Sequence, residues 1–126
     1  MSDYPKFSLA FNIGSTNQER MEAFELYQQA FNASMISEIG PPDWPDIHIT
    51  MEINGLRILL APGGKVEKVL ESAMVCEFLF ENENELRKAY DILIQGALQY
   101  SIGSYPWAPV GALVTDKYGV CWWFRT

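Results

Sequence analysis

Two stretches of this chain repeat one another at a fixed distance, and that repeat limits what the chain can fold into. Thr16 stands three residues before Glu19, and Asn82 stands three before Glu85. This is cap spacing: the first side chain takes a free backbone N–H of the opening helical turn, and the acid sits where it can answer. The two caps are 66 positions apart, and the same shift sets Ala23 on Ala89, Phe24 on Tyr90 and Tyr27 on Leu93. Both helix faces follow: Met21, Phe24, Tyr27, Ala30 and Phe31 in one, Leu86, Ala89, Tyr90 and Leu93 in the other. The loops Trp44-Pro45 and Pro106-Trp107 fall in matching places. A duplicated unit is the economical reading. The plainer alternative is one α+β sheet whose helices only look alike.

The strands fill in around the helices. Residues 7–13 alternate, and a helix is expected over 17–32, then strands over 34–39, 47–53 and 56–61. Gly40-Pro41-Pro42-Asp43-Trp44-Pro45 cannot continue a strand, because its prolines lack a donor and fix φ. Asn54-Gly55 is a strong hairpin signal, as both residues tolerate positive φ. The order is therefore β-α-β-β-β. Pro62-Gly63-Gly64 opens a linker, and 65–72 is amphipathic without declaring an element. The second half repeats the order: a strand over 73–80, a helix opened by Asn82 and closed near Gly96, and strands near 98–102, 110–115 and 120–125.

At 126 residues the chain suits a single domain, with module one over about 6–62 and module two over about 72–126. A net charge of −7 with only nine basic residues argues against a nucleic acid or an anionic membrane as partner, since both need Lys and Arg against phosphate. No apolar run reaches the ~20 residues needed to cross a bilayer. Met1-Ser2-Asp3-Tyr4-Pro5-Lys6 lacks the basic and apolar pattern of a signal peptide. Two cysteines make no disulfide framework. A cytoplasmic location is the expectation.

Three stretches carry a resemblance to a known family. Ala23–Ala33 is similar to a helix ending in Tyr-x-x-x-Phe and small residues, and Ile47–Gly55 to a strand and turn bearing a histidine. Thr115-Asp116-Lys117-Tyr118-Gly119-Val120-Cys121-Trp122-Trp123 resembles an Asp-Lys/Arg-Phe-Gly-Val-x-Trp ending. Together they resemble the glyoxalase/bleomycin-resistance/dioxygenase (vicinal oxygen chelate) superfamily, in its PhnB-like branch. The resemblance implies an α+β fold in which two βαβββ modules form a curved mixed sheet around a cavity. It also implies a homodimer.

The family's metal chemistry finds few donors here. Relatives hold a divalent ion with His, Glu or Gln on the first and last strands of the modules, ligands that suit such ions and leave positions open for substrate oxygens. The last of these is a Glu four residues after the turn glycine; four residues after Gly119 stands Trp123, whose indole cannot ligate. The first-strand positions fall near Ser8 and Cys76, with only Glu77 a ligand type close by. The expectation is no metal and no cofactor.

The remaining candidates are each open to a plainer reading. His48, the sole histidine, could be a base or a ligand, but a side chain resting on a sheet face is preferred. Cys76 and Cys121 lie on strands the family fold makes neighbours, so both are expected at the cavity; with no cation beside them in sequence, inert thiols are preferred to reactive ones. Trp44 and Trp107 are equally aromatic walls of a pocket or packing at the core or dimer interface. Asp116, Tyr118 and Gly119 read as the turn that sets the last strand. Glu81, Glu83 and Glu85 read as a solvated helix start. No glycine-rich nucleotide loop is present. The leading expectation is thus a metal-free protein that binds a small, partly apolar molecule through Trp44, His48, Cys76, Trp107, Cys121 and Trp123, with no catalytic residue assigned. The alternatives are a divalent-metal lyase, transferase or dioxygenase, and a dimeric interaction module.

Overall fold

The structure, a computed structural model, describes residues 7–40, 44, 46–63 and 67–126. The N-terminal hexapeptide and residues 41–43, 45 and 64–66 lie outside the described residues. The proline loop is therefore described only at Gly40 and Trp44, and the 62–72 linker only in part.

The elements run β1 (Leu9–Asn12), α1 (Asn17–Phe31), β2 (Ser34–Ile39), β3 (His48–Ile53), β4 (Leu56–Ala61), β5 (Cys76–Leu79), α2 (Glu83–Leu93), β6 (Gln99–Tyr105), β7 (Ala108–Thr115) and β8 (Cys121–Arg125). They form two four-stranded sheets ordered β1-β4-β3-β2 and β5-β8-β7-β6. The order is the same in both, and each sheet holds one parallel pair: first strand against last, β1 with β4 and β5 with β8. Two βαβββ modules are what the economical reading of the 66-residue repeat expects. The chain divides into two compact units, Met1–Gln28 with Asn32–Val66, and Gln29–Phe31 with Glu67–Thr126.

Both helices start on their expected caps. The Thr16 hydroxyl accepts from the Glu19 N–H at 3.1 Å, and the Glu19 carboxylate reaches back to the Ser15 N–H at 3.4 Å. The Asn82 side chain accepts from the Glu85 N–H at 2.9 Å. α1 closes on Asn32 in the left-handed region (φ 57), whose N–H bonds to Gln28 O. α2 ends earlier than Gly96: Leu93 is its last residue, and Gly96 takes φ +72 two residues past the cap, turning the chain into β6.

In the first unit, strand alternation sends Phe11, Ile49, Met51, Ile53, Ile58 and Leu60 into the core. Tyr27 of α1 meets Phe11 edge-on at 6.0 Å. The other face carries Ala10, Asn12, His48, Thr50, Glu52 and Leu59 and is partly or fully exposed. Asn54 (φ 48) and Gly55 (φ 85) make the β3–β4 turn, as their dipeptide predicts.

In the second unit the core face is aromatic. Phe31 tilts against Trp122 at 4.5 Å and stacks on Phe78 at 5.1 Å, and Phe78 stacks on Phe80 at 4.6 Å. Phe124, Ala112 and Val114 are fully buried there, as are Leu86 and Leu93 of α2. Burying rings of this kind stabilises by about 1.5–3 kcal/mol each.

Candidate functional site

The open face of the second unit is fixed by its register. β8 pairs with β7 through Thr115↔Cys121 and Leu113↔Trp123, and with β5 through Glu77↔Trp123. Residues matched in register point the same way, so Glu77, Leu113, Thr115, Cys121 and Trp123 share the face turned away from the aromatic core. Cys76 does not share it. Parallel pairing matches Cys76 with Trp122, and its neighbour two on, Phe78, contacts Phe124 at 6.3 Å on the core side. The expectation that both cysteines look onto one face is therefore corrected: adjacent strands need not be matched at the residues the sequence suggests. Burial pushes the Cys76 thiol pKa up, and the nearby Asp116 carboxylate and Cys121 add to that. A thiol shifted this way stays protonated and is a poor nucleophile near neutral pH.

Trp123 is half-buried on the open face. Its indole lies across Gly111, where an added Cβ would collide with Trp123 Cη2 and come within 2.9 Å of Tyr105 Cδ2. Tyr105 meets Trp123 edge-on at 5.3 Å and tilts against Trp107 at 5.3 Å. Trp107 itself is 68% exposed, so its loop does not plug the core. Beside this aromatic group, Arg125 Nε donates to Glu77 Oε2 at 3.2 Å across an exposed edge.

The opposite end of the face is closed over by the linker. Thr115 Oγ1 donates to Leu70 O at 2.6 Å and lies 3.4 Å from Cys121 Sγ. A hydroxyl has one proton, already given to Leu70, so the thiol is the donor in the Thr115–Cys121 contact. Lys68 Nζ donates to Lys117 O at 3.1 Å, which fastens the linker a second time. Under it lies a half-open cavity of about 190 Å³, walled by Leu70, Val75, Leu113, Thr115 and Cys121, with Glu71 and Ser72 on the linker side. Nothing in the sequence marked this cavity except the amphipathic character of 65–72.

The turn that positions β8 is built around one carboxylate. Asp116 is fully buried; its Oδ1 accepts from the N–H groups of Tyr118 (2.9 Å) and Val120 (3.0 Å), and its Oδ2 accepts from Trp122 Nε1 (3.0 Å). Gly119 (φ +89) completes the turn with its N–H on Asp116 O. The structural reading of this motif agrees with that geometry.

The first-unit candidates lie apart from one another. His48 sits half-buried on the open face of β3, its Nδ1 3.0 Å from Asp46 O. Trp44 is 53% exposed and folds over Gly40, where an added Cβ would meet Trp44 Cε3 at 2.6 Å. Arg20, absent from any sequence expectation, is fully buried and donates to Ile13 O (3.1 Å), Gly14 O (3.3 Å) and Asn17 Oδ1 (2.9 Å). It ties the exit of β1 to the start of α1 and plays the part of a bolt rather than a ligand-binding group.

No family model and no curated protein matches the chain. Solved structures do match. The putative 3-demethylubiquinone-9 3-methyltransferase, PhnB protein, from Bacillus cereus is similar at a TM-score of 0.72 and 24% identity, over 95% of this chain and 98% of that one. A glyoxalase family protein from Enterococcus faecalis is similar at 0.65 and 11%, over 98% of each chain. The fosfomycin resistance protein FosX from Listeria monocytogenes is similar at 0.65 and 16%, over 98% of this chain and 94% of that one.

The chain has the vicinal-oxygen-chelate fold.

Members of this fold that use a divalent ion need several convergent His or carboxylate donors. Among the described residues no group of three His, Cys, Asp or Glu side chains converges in this fold. On β8 the open-face residues are Cys121, Trp123 and Arg125; on β5 the one carboxylate, Glu77, is already held by Arg125. On β1 the open face carries Ala10 and Asn12. The described residues therefore do not bring together the donors that such an ion needs. No helix among the described residues is long and apolar enough to cross a membrane.

Proposed function

We propose that this protein binds a small, partly apolar molecule on the open face of its sheet and does so without a divalent metal. The observation that carries the reading is Trp123. It stands where metal-dependent relatives carry a Glu, and its ring makes an apolar wall with Leu113 and Tyr105 instead of an oxygen donor. Aromatic walls with a few polar groups are the usual lining of a small-molecule site. Trp107, exposed beside Tyr105, extends that wall. The reading extends to a homodimer, since the resemblance that suggests the ligand site suggests the dimer too.

The test pairs elemental analysis of the purified protein with titration of Nile red, a neutral apolar dye. The expected result is no stoichiometric metal, saturable dye binding, and weaker binding in Trp123→Ala. A stoichiometric ion that EDTA removes together with ligand binding overturns the reading. So does a protein that binds no apolar dye at all.

A further inference from the structure

The cavity beneath the linker adjoins the aromatic wall at Leu113, and its chemistry is narrower. It measures about 190 Å³. An apolar cavity of about 150 Å³ accommodates a molecule the size of benzene. Leu70, Val75 and Leu113 supply apolar wall. The buried polar atoms in the lining are already used on one another: Thr115 donates to Leu70 O, and Cys121 donates to Thr115. On the linker side, the Ser72 hydroxyl accepts from Met74 N at 3.1 Å. A water molecule needs two to four polar partners to be held well, and these walls offer few. Among the described residues the only charged side chain in the lining is Glu71, an exposed carboxylate that disfavours an anion, and no described Lys or Arg lines the space to offset one.

From this we infer that the cavity is a binding site for an uncharged, single-ring apolar molecule, held by contact rather than by hydrogen bonds. The inference rests on the small-molecule reading above and adds a place and a chemical class to it. The roof is the segment around Leu70, fastened through Thr115 and Lys117, so entry goes past the exposed residues Glu71 and Val75 at the half-open side.

The experiment is a two-dimensional amide NMR titration of the full chain with benzene, with indole and with benzoate. Benzene and indole are expected to give saturable shifts at Val75, Leu113, Thr115 and Cys121. Benzoate, whose charge would be buried without a partner, is expected to bind at least about tenfold more weakly. Leu113→Phe, which fills the space, should abolish the benzene shifts; Val75→Phe, at a more exposed wall position, serves the same purpose if the first variant does not fold. Equal response to benzoate overturns the inference, and so does a response that survives both filling variants. Shifts confined to Tyr105, Trp107 and Trp123 also overturn it, while leaving the open-face reading standing. Dye binding without any benzene binding separates the two in the same way.

Discussion

The two units share one topology but fasten different connections with buried charges of opposite sign. In the first, the buried charge is a cation: the Arg20 guanidinium gathers the carbonyls at the exit of β1. In the second it is an anion: the Asp116 carboxylate gathers the N–H groups at the exit of β7. The hairpin before each last strand differs as well. Asn54-Gly55 turns because those residues accept positive φ, a local property. The Asp116 turn also depends on the Trp122 indole, six residues on and inside the core. A duplicated fold can thus keep its strand order while one copy is held locally and the other by a buried network. The open faces diverge in step: His48, Thr50 and Glu52 in one, Leu113, Cys121 and Trp123 in the other.

Substitutions can break this contrast. Asp116→Ala should have the largest effect, about 3–5 kcal/mol of lost stability in urea unfolding, because it strands three buried N–H donors together. Asp116→Asn should cost less, since its oxygen can keep the two turn amides. If Asp116→Ala costs no more than a surface change, the network is not what holds β8. Arg20→Met should cost about 2–4 kcal/mol, by removing the guanidinium that donates to the Ile13 and Gly14 carbonyls and to Asn17 Oδ1. Equal losses in these two variants would make the units energetic equivalents despite their opposite charges.

Gly111→Ala sharpens the difference between the open faces. Its methyl has to displace Trp123 or Tyr105, for about 1–3 kcal/mol and a shifted tryptophan emission maximum. Asn82→Ala should cost about 1 kcal/mol, the ordinary worth of a helix cap. Thr16→Ala should cost a similar amount, because both units open their helix on a side-chain cap at the same spacing.

Cys76 gives the smallest effect and a sign that can be worked out. Its folded-state pKa is raised, so the native state holds the proton that the unfolded thiol releases. Stability is then unaffected below the ordinary thiol range and falls as pH rises through it. Alkylation of native Cys76 by iodoacetamide, followed by peptide mass spectrometry at pH 8–9, should run slower than for the unfolded chain. Faster alkylation in the native protein would mean the thiol is activated rather than suppressed.

Much of the fold was legible because its signals are local. Caps, helix faces and the Asn54-Gly55 turn each depend on a few neighbouring residues. Strand ends were less so. β5 starts at Cys76 and not at residue 73, because Met74 and Val75 are apolar yet exposed. β6 runs on to Tyr105, because Gly103 pairs with Gly111, and glycine advertises no strand preference of its own. The shared face of Trp123 and Cys121 was legible, since it follows from alternation along β8. Cys76 was not, since the match of parallel strands is set by the whole sheet. Arg20 hid in a polar pattern that a solvent-facing arginine would also produce. The linker cavity depends on a hydrogen bond between residues 45 positions apart.

Each unit joins its first strand to its last and to no other strand. The opening strand of a nascent unit therefore has no strand to pair with until the closing strand has been made. Such closure charges its loop entropy early and returns the contacts late. Half a unit lacks this pairing, so each unit should assemble in one step, with its oldest residues waiting longest.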